Sequence, residues 1–153
     1  MSISIEDQVV ALAARAHRAG WSAGNDVSAQ TRKAQDTCKR WQQAVKRKFR
    51  NRFKDEFGIN GAKGGPSQKI DLVDVEENVA YELKSSPNNV HMEIYRDVFK
   101  ALVLNERNPT ERIKTLVFIA PKTGIQKLGT AFPKDVQAIS SQLGLRLKLR
   151  ELP

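Results

Sequence analysis

The stretch Lys69–Lys84 constrains this chain more than any other. Two runs rich in apolar, β-branched and aromatic residues, Ile70–Val75 and Val79–Leu83, flank the acidic, Asn-containing Glu76-Glu77-Asn78. That is the pattern of two antiparallel strands and a tight turn. With the turn centred on Glu76-Glu77, Leu72 faces Tyr81 across the ladder and Asp71 faces Glu82. Side chains alternate along a strand, so Asp71, Glu82 and Lys84 share one face at the open end of the hairpin. Val73, Val75 and Ala80 continue that face towards the turn, and Ile70, Leu72, Val79, Tyr81 and Leu83 form the other. Both faces are expected to be covered, with charge confined to one end. Asp74, an odd number of positions from Asp71, is expected to point away from the charged group, as a surface residue near the turn.

The 153 residues suit one ordinary domain with a real core. We read 1–57 as a basic helical part and 58–153 as an α/β core. A net charge of +9 favours a polyanionic partner. Cys38 is the only cysteine, which excludes an intramolecular disulfide and a thiolate-rich metal site, and two histidines argue against structural zinc. The first residues carry no basic region followed by an apolar run, and no stretch approaches the length of a membrane span. A cytoplasmic protein with no membrane partner is the expectation.

Ile5, Val9, Leu12, Ala13 and Ala16 fall on one helical stripe, with Glu6 and Asp7 in the first turn. After a break at Gly20–Asn25, a longer helix is expected from between Asp26 and Thr31 to Phe57, stopped by Gly58. Trp41, Val45, Phe49, Phe53 and Phe57 recur every four residues along it, the mark of a buried face. Residues 1–57 hold twelve basic and six acidic side chains, +6 of the total +9. Lys46, Arg47, Arg50 and Lys54 are therefore candidates for phosphate contacts, with a solvated basic face as the alternative.

The glycine-dense Gly58–Ser67 reads as a loop. It lacks the terminal Gly-Lys-Ser/Thr of a phosphate-binding loop and precedes a strand, which argues against nucleotide binding. Lys63 within it and Gln68 just after it are candidate nucleic-acid contacts. Beyond the hairpin, Val90 to about Asn105 predicts a helix with Ile94, Val98, Ala101 and Leu102 inward. Leu116–Ala120 predicts a central, doubly buried strand. Pro133 opens a last helix with Val136, Ile139 and Leu143 inward and Gly144 as its stop, and Leu145–Arg150 alternates apolar with basic residues, as a half-exposed strand does. The expected order is helix, helix, strand, strand, helix, strand, helix, strand.

Two carboxylates with oxygen donors suit Mg²⁺, or Mn²⁺ in its place, and such an ion takes its remaining ligands from water and phosphate. An ammonium on the same face counters charge developing on a phosphoryl group. Glu82-Leu83-Lys84 is the only place in the chain where an acidic residue stands two before a lysine. Asp71, ten intervening residues, then Glu82-Leu83-Lys84, set between helices, resembles the PD-(D/E)XK nuclease superfamily of restriction endonucleases and Holliday junction resolvases.

The resemblance is clearest over residues 58–120, and it departs from the family pattern at Ile70, where proline is usual. It implies a restriction endonuclease-like core: a central mixed sheet of four or five strands flanked by helices, after an N-terminal helical segment. It also implies that Asp71 and Glu82 ligate the metal with the Leu83 carbonyl, and that Lys84 is the catalytic lysine. Glu6, Gln68, His91 and Tyr95 are accessory candidates. The function implied is Mg²⁺-dependent cleavage of DNA without a small-molecule cofactor, by a homodimer if both strands are cut. A junction resolvase or a toxin-like nuclease competes within that class. A non-catalytic nucleic-acid-binding module, in which the charged end of the hairpin is a salt bridge, competes from outside it.

Overall fold

A computed structural model describes residues 2–21, 26–58 and 69–152. The protein is an α/β structure, with a five-stranded mixed sheet between two layers of helices. Helix α1 (Ile5–Gly20) and helix α2 (Val27–Phe49) are followed by strands β1 (Phe53–Gly58), β2 (Lys69–Asp74) and β3 (Val79–Leu83). Helix α3 (Val90–Arg107), strand β4 (Thr115–Pro121), the short helix α4 (Lys122–Gln126), helix α5 (Ala131–Gln142) and strand β5 (Arg146–Leu152) complete the chain. The spatial order is β1-β2-β3-β4-β5, antiparallel from β1 to β3 and parallel from β3 to β5.

The hairpin keeps the expected register, with Leu72 opposite Tyr81, Val73 opposite Ala80 and Asp74 opposite Val79. Asn78 takes the positive φ of 56° that the turn demands, which asparagine tolerates. The long second helix is shorter than expected. Arg50, at φ 51°, ends it in a 3-10 turn, and Phe53–Gly58 forms an edge strand on β2. A spacing of four is also a multiple of two, so Phe53 and Phe57 fit a strand face as well as a helix face. The open edge of β2 decided between them.

One core cluster lies between the sheet and α1/α2, and joins Val9, Ala13, Trp41, Val45, Phe53, Leu72, Tyr81, Val117 and Ile119. The other lies under α3–α5 and joins Val73, Ala80, Ile94, Val98, Ala101, Leu116, Phe118, Val136 and Leu147. Ile70 belongs to this second cluster, with its ladder partner Phe57 against it, although strict alternation places it with Leu72. The β1–β2 ribbon twists through this point, as edge ribbons do.

Leu116–Ala120 is fully buried, as its apolar run requires. Ile139 and Leu143, expected inward, are instead 62% and 52% exposed. Helix α5 covers only the margin of the sheet, and Val136 and Ser140 fill its buried stripe. Gly144, at φ 79°, reverses the chain into β5. Val75, also expected on the covered face, lies in the turn and is exposed. Asp74 is buried, not a surface group. Its carboxylate accepts Arg52 Nε and Nη2 at 2.8–3.0 Å and the N–H groups of Glu76 and Glu77, so it caps the turn it precedes.

Trp41 fastens the two N-terminal helices together. Its ring is fully buried, and Nε1–H donates to Val9 O at 3.1 Å. Trp41→Phe removes that bond and part of the ring volume. Urea denaturation should show a loss of about 1–3 kcal/mol.

Candidate functional site

The open end of the β2–β3 hairpin is where the charged side chains meet. Asp71 and Glu82 enter it from neighbouring strands. The ladder between those strands runs from Asp74 to Leu72, and at Asp71 the side chain supplies the next bond: Oδ2 accepts the Leu83 N–H at 2.9 Å. Gln42 of α2 donates to the Asp71 carbonyl at 2.8 Å, tying this end of the hairpin to the helix behind it. The Asp71 and Glu82 carboxyls are close enough that each acts on the other's ionisation.

Helix α3 contributes two members that the hairpin pattern does not contain, Asp97 and Lys100. Lys100 Nζ donates to Glu82 Oε1 at 2.7 Å, to Asp97 Oδ1 at 2.9 Å and to the Lys69 carbonyl at 2.9 Å. It is buried, as are Glu82 and Asp97. Towards the solvent the network continues. Arg96 pairs with Asp97 and Glu93, and Glu93 Oε1 lies 3.5 Å from Lys84 Nζ. Lys84 thus sits beside Glu82 in sequence, but its ammonium is held at the rim by α3. Its backbone N–H donates to Ile119 O at 2.8 Å, which keeps the chain in line with β4.

Three carboxyl groups, Asp71, Glu82 and Asp97, stand around one ammonium, and most of them are out of water. Burial pushes the Glu82 carboxyl well above the usual carboxylate range, the negative charges of Asp71 and Asp97 add to this, and Lys100 opposes it. Burial likewise raises Asp71, against the hydrogen bonds from Leu83 N–H and Glu82. Burial raises Asp97 too, against Lys100 and Arg96. For Lys100, burial disfavours the charged form, but Glu82 and Asp97 outweigh it and its pKa rises. Of the three carboxyls Glu82 is pushed furthest towards its neutral form, while Lys100 is pushed towards its charged form.

The other predicted residues lie elsewhere. Glu6 is on the opposite layer, where it pairs with Lys148 at 2.7 Å and with Arg150, while Asp7 also binds Arg150. Those bonds hold α1 to β5 and hold the Glu6 carboxyl below its ordinary value despite burial. His91 and Tyr95 occupy the flank of α3 away from Glu93, Asp97 and Lys100, and meet Phe132 of α5 edge-on. Lys46 and Arg47 are exposed on α2, Arg50 is exposed at its end and Lys54 is exposed on β1. Lys46 is engaged by Asp55 at 2.7 Å. Lys63 and Gln68 lie outside the described residues.

No protein-family model, no curated protein and no solved structure matches the chain. Among the described residues no group of three or more His, Cys, Asp or Glu side chains is arranged to hold a metal ion as it stands. No described helix is long and apolar enough to cross a membrane. The donors of Asp71 and Glu82 nevertheless suit a hard divalent cation: they are oxygens only, and two carboxylates are within what Mg²⁺ takes from a protein.

Two measurements test this network. Glu82 has a folded-state pKa above its ordinary 4.5, so the stability it contributes is complete below pH 4.5 and is lost as pH rises through the raised value. Wild type should therefore lose stability relative to Glu82→Gln as pH increases from there, read as the difference in Tm between the two proteins at each pH. Lys100→Met leaves Glu82 and Asp97 buried without their cation and should cost about 3–5 kcal/mol in chemical denaturation. Adding Glu82→Gln to Lys100→Met should recover a substantial part of that loss.

Proposed function

We propose that this protein is a divalent-metal-dependent DNA endonuclease with a site of the PD-(D/E)XK kind on a restriction endonuclease-like core. The observation that carries the reading is the convergence of Asp71 and Glu82 from neighbouring strands at the open end of an antiparallel pair, with Asp71 Oδ2 held by the Leu83 N–H and Glu82 by Lys100. In this reading Asp71 and Glu82 hold Mg²⁺ or Mn²⁺, and the Leu83 carbonyl stands beside them. Such an ion polarises a phosphoryl oxygen and acidifies water when bound.

The chain's own part is to keep both carboxylates fixed and to bring cations to the phosphate. Leu83 N–H and Gln42 fix Asp71, and Lys100 fixes Glu82. Lys84, at the rim with a side chain 20% exposed, is placed to counter charge on the phosphoryl group. Hydrolysis forms one P–O bond to the oxygen of water and breaks one ester P–O bond, with a proton transferred overall from the water to the leaving oxygen. The exposed cations Arg47, Arg50 and Lys54, with Lys46 beside Asp55, supply attraction to the phosphate backbone. A two-fold homodimer is the arrangement that lets one site of this kind cut each strand of a duplex.

A second reading has its own observation. Glu82 and Asp97 already share Lys100 in the interior, which is also what a purely structural ion cluster contains. On that reading the protein binds nucleic acid through its basic surface and cuts nothing.

Incubation with supercoiled plasmid, linear duplex and four-way junction DNA, in Mg²⁺ and in EDTA, separates the two. The nuclease reading expects metal-dependent cleavage that falls at least about 100-fold in Asp71→Asn and in Lys84→Ala. Absence of cutting in Mg²⁺ and in Mn²⁺, with salt-sensitive binding unchanged in both variants, leaves the binding module as the function.

A further inference from the structure

On the flank of α3 away from the carboxylates lies an open groove of about 830 Å³, within the range of small-ligand sites. Its walls alternate aromatic groups with polar ones. His91 and Tyr95 come from α3 and Phe132 from α5, with Asn88 and Asn89 at the head of α3 and Lys127 on the far rim. The rings meet edge to face: the Tyr95 and Phe132 centroids are 5.1 Å apart at 80°, and those of His91 and Phe132 are 6.4 Å apart at 89°. Phe132 is partly buried against the core, while Tyr95 remains 54% exposed. Asn89 makes no side-chain capping bond to α3, so its amide is not spent on the helix. Among the described residues, Lys127 pairs with no carboxylate.

The groove is built into the fold. Gly124 of α4 lies against the start of α3, where a Cβ would come within 2.7 Å of Val90 Cγ2 and 3.1 Å of the Pro87 backbone. Only glycine lets α4 seat that closely, and this contact forms the floor. The groove also opens at the carboxyl ends of β3 and β4, two parallel neighbours, which is where open α/β sheets receive ligands. Pro87 is three residues beyond Lys84, and the two flanks of α3 are separated by about one helix diameter, roughly 10 Å. Groove and carboxylates are thus neighbours across one helix.

We infer that this groove receives an unpaired base of the nucleic acid, stacked on Tyr95 and Phe132, while the adjoining backbone crosses the head of α3 towards Asp71 and Glu82. This rests on the functional reading above and narrows its substrate to nucleic acid with an unpaired nucleotide near the phosphate engaged. The exposed ring of Tyr95 suits a base, and every base presents a stacking face. The amides and the ammonium suit base edges and phosphate, and the net charge of +9 suits a polyanion.

The test compares binding, by fluorescence anisotropy in EDTA, to a fully paired duplex and to the same duplex carrying an unpaired bubble. Wild type should favour the bubble by at least about tenfold. Tyr95→Ala and Phe132→Ala should each reduce bubble affinity by roughly 5- to 100-fold with paired-duplex affinity unchanged, and Tyr95→Phe should restore it. A 4-thiothymidine in the bubble should photo-crosslink to the peptides containing Tyr95 or Phe132. Equal affinity for the two duplexes overturns the inference. So does a bubble preference that persists in both alanine variants whose thermal melting matches wild type, or crosslinking confined to other peptides. If the alanine variants change only self-association in sedimentation, the groove serves contact between copies, and the inference is again overturned. Because these readings need no metal, failure of cleavage alone removes the nuclease reading and leaves the groove. Cleavage that depends on Asp71 but ignores Tyr95 and Phe132 removes the groove alone.

Discussion

Lys100 is the pivot of this structure. Its ammonium is the one positive charge bonded directly to both Glu82 and Asp97, and it also accepts the task of satisfying the Lys69 carbonyl where β2 begins. Taking these groups out of water is expensive, and it is offset only if each finds its partner at hydrogen-bond distance. Helix α3 therefore has little freedom to slide over the sheet, because a shift by one turn would strand two carboxyls in the interior. The same bonds carry β2, β3 and α3 as one unit, and the apolar residues beneath α3, from Ile94 to Leu104, fill the space that the ionic contact fixes.

The two faces of the sheet are held by different chemistry. On the α1/α2 side, dispersion and hydrophobic burial dominate, with Trp41 at the centre and the ion pairs of Glu6 and Asp7 with β5 at the solvent margin, where such pairs contribute modestly. On the α3 side, ionisable groups reach the interior itself. A buried cluster with more carboxyls than ammonium groups is at odds with stability unless a proton or a cation completes it.

Much of the fold was legible in the chain because periodicity reports burial directly. The hairpin register followed from its turn, the helix Val90–Arg107 from its apolar stripe, and the central strand Thr115–Pro121 from its unbroken apolar run. The errors share one cause, which is that local pattern was ambiguous and long-range contact decided. Phe53 and Phe57 satisfied both periods, and pairing with β2 made them strand. Asp74 read as a polar residue beside a turn, but Arg52, more than twenty positions earlier in the chain, drew it inside. Ile139 and Leu143 fit a helical stripe that the sheet is too narrow to cover.

The sequence by itself determined the register of the hairpin, with Leu72 opposite Tyr81, and so brought Asp71 and Glu82 to its open end on neighbouring strands, because alternation and a turn centred on Glu76-Glu77 fix which residues pair. It could not determine what else stood beside them. Asp97 and Lys100 lie on a helix whose docking depends on the summed packing of a whole layer, and nothing in their spacing distinguishes them from the charged residues of any amphipathic helix. Helix periodicity alone sets His91 and Tyr95, one turn apart, on the side of α3 away from Asp97 and Lys100, but only the packing of α5 brings Phe132 against them. Neighbours in sequence are fixed by local geometry; neighbours across layers are fixed by tertiary packing, and the charge balance of the site belongs to the second kind.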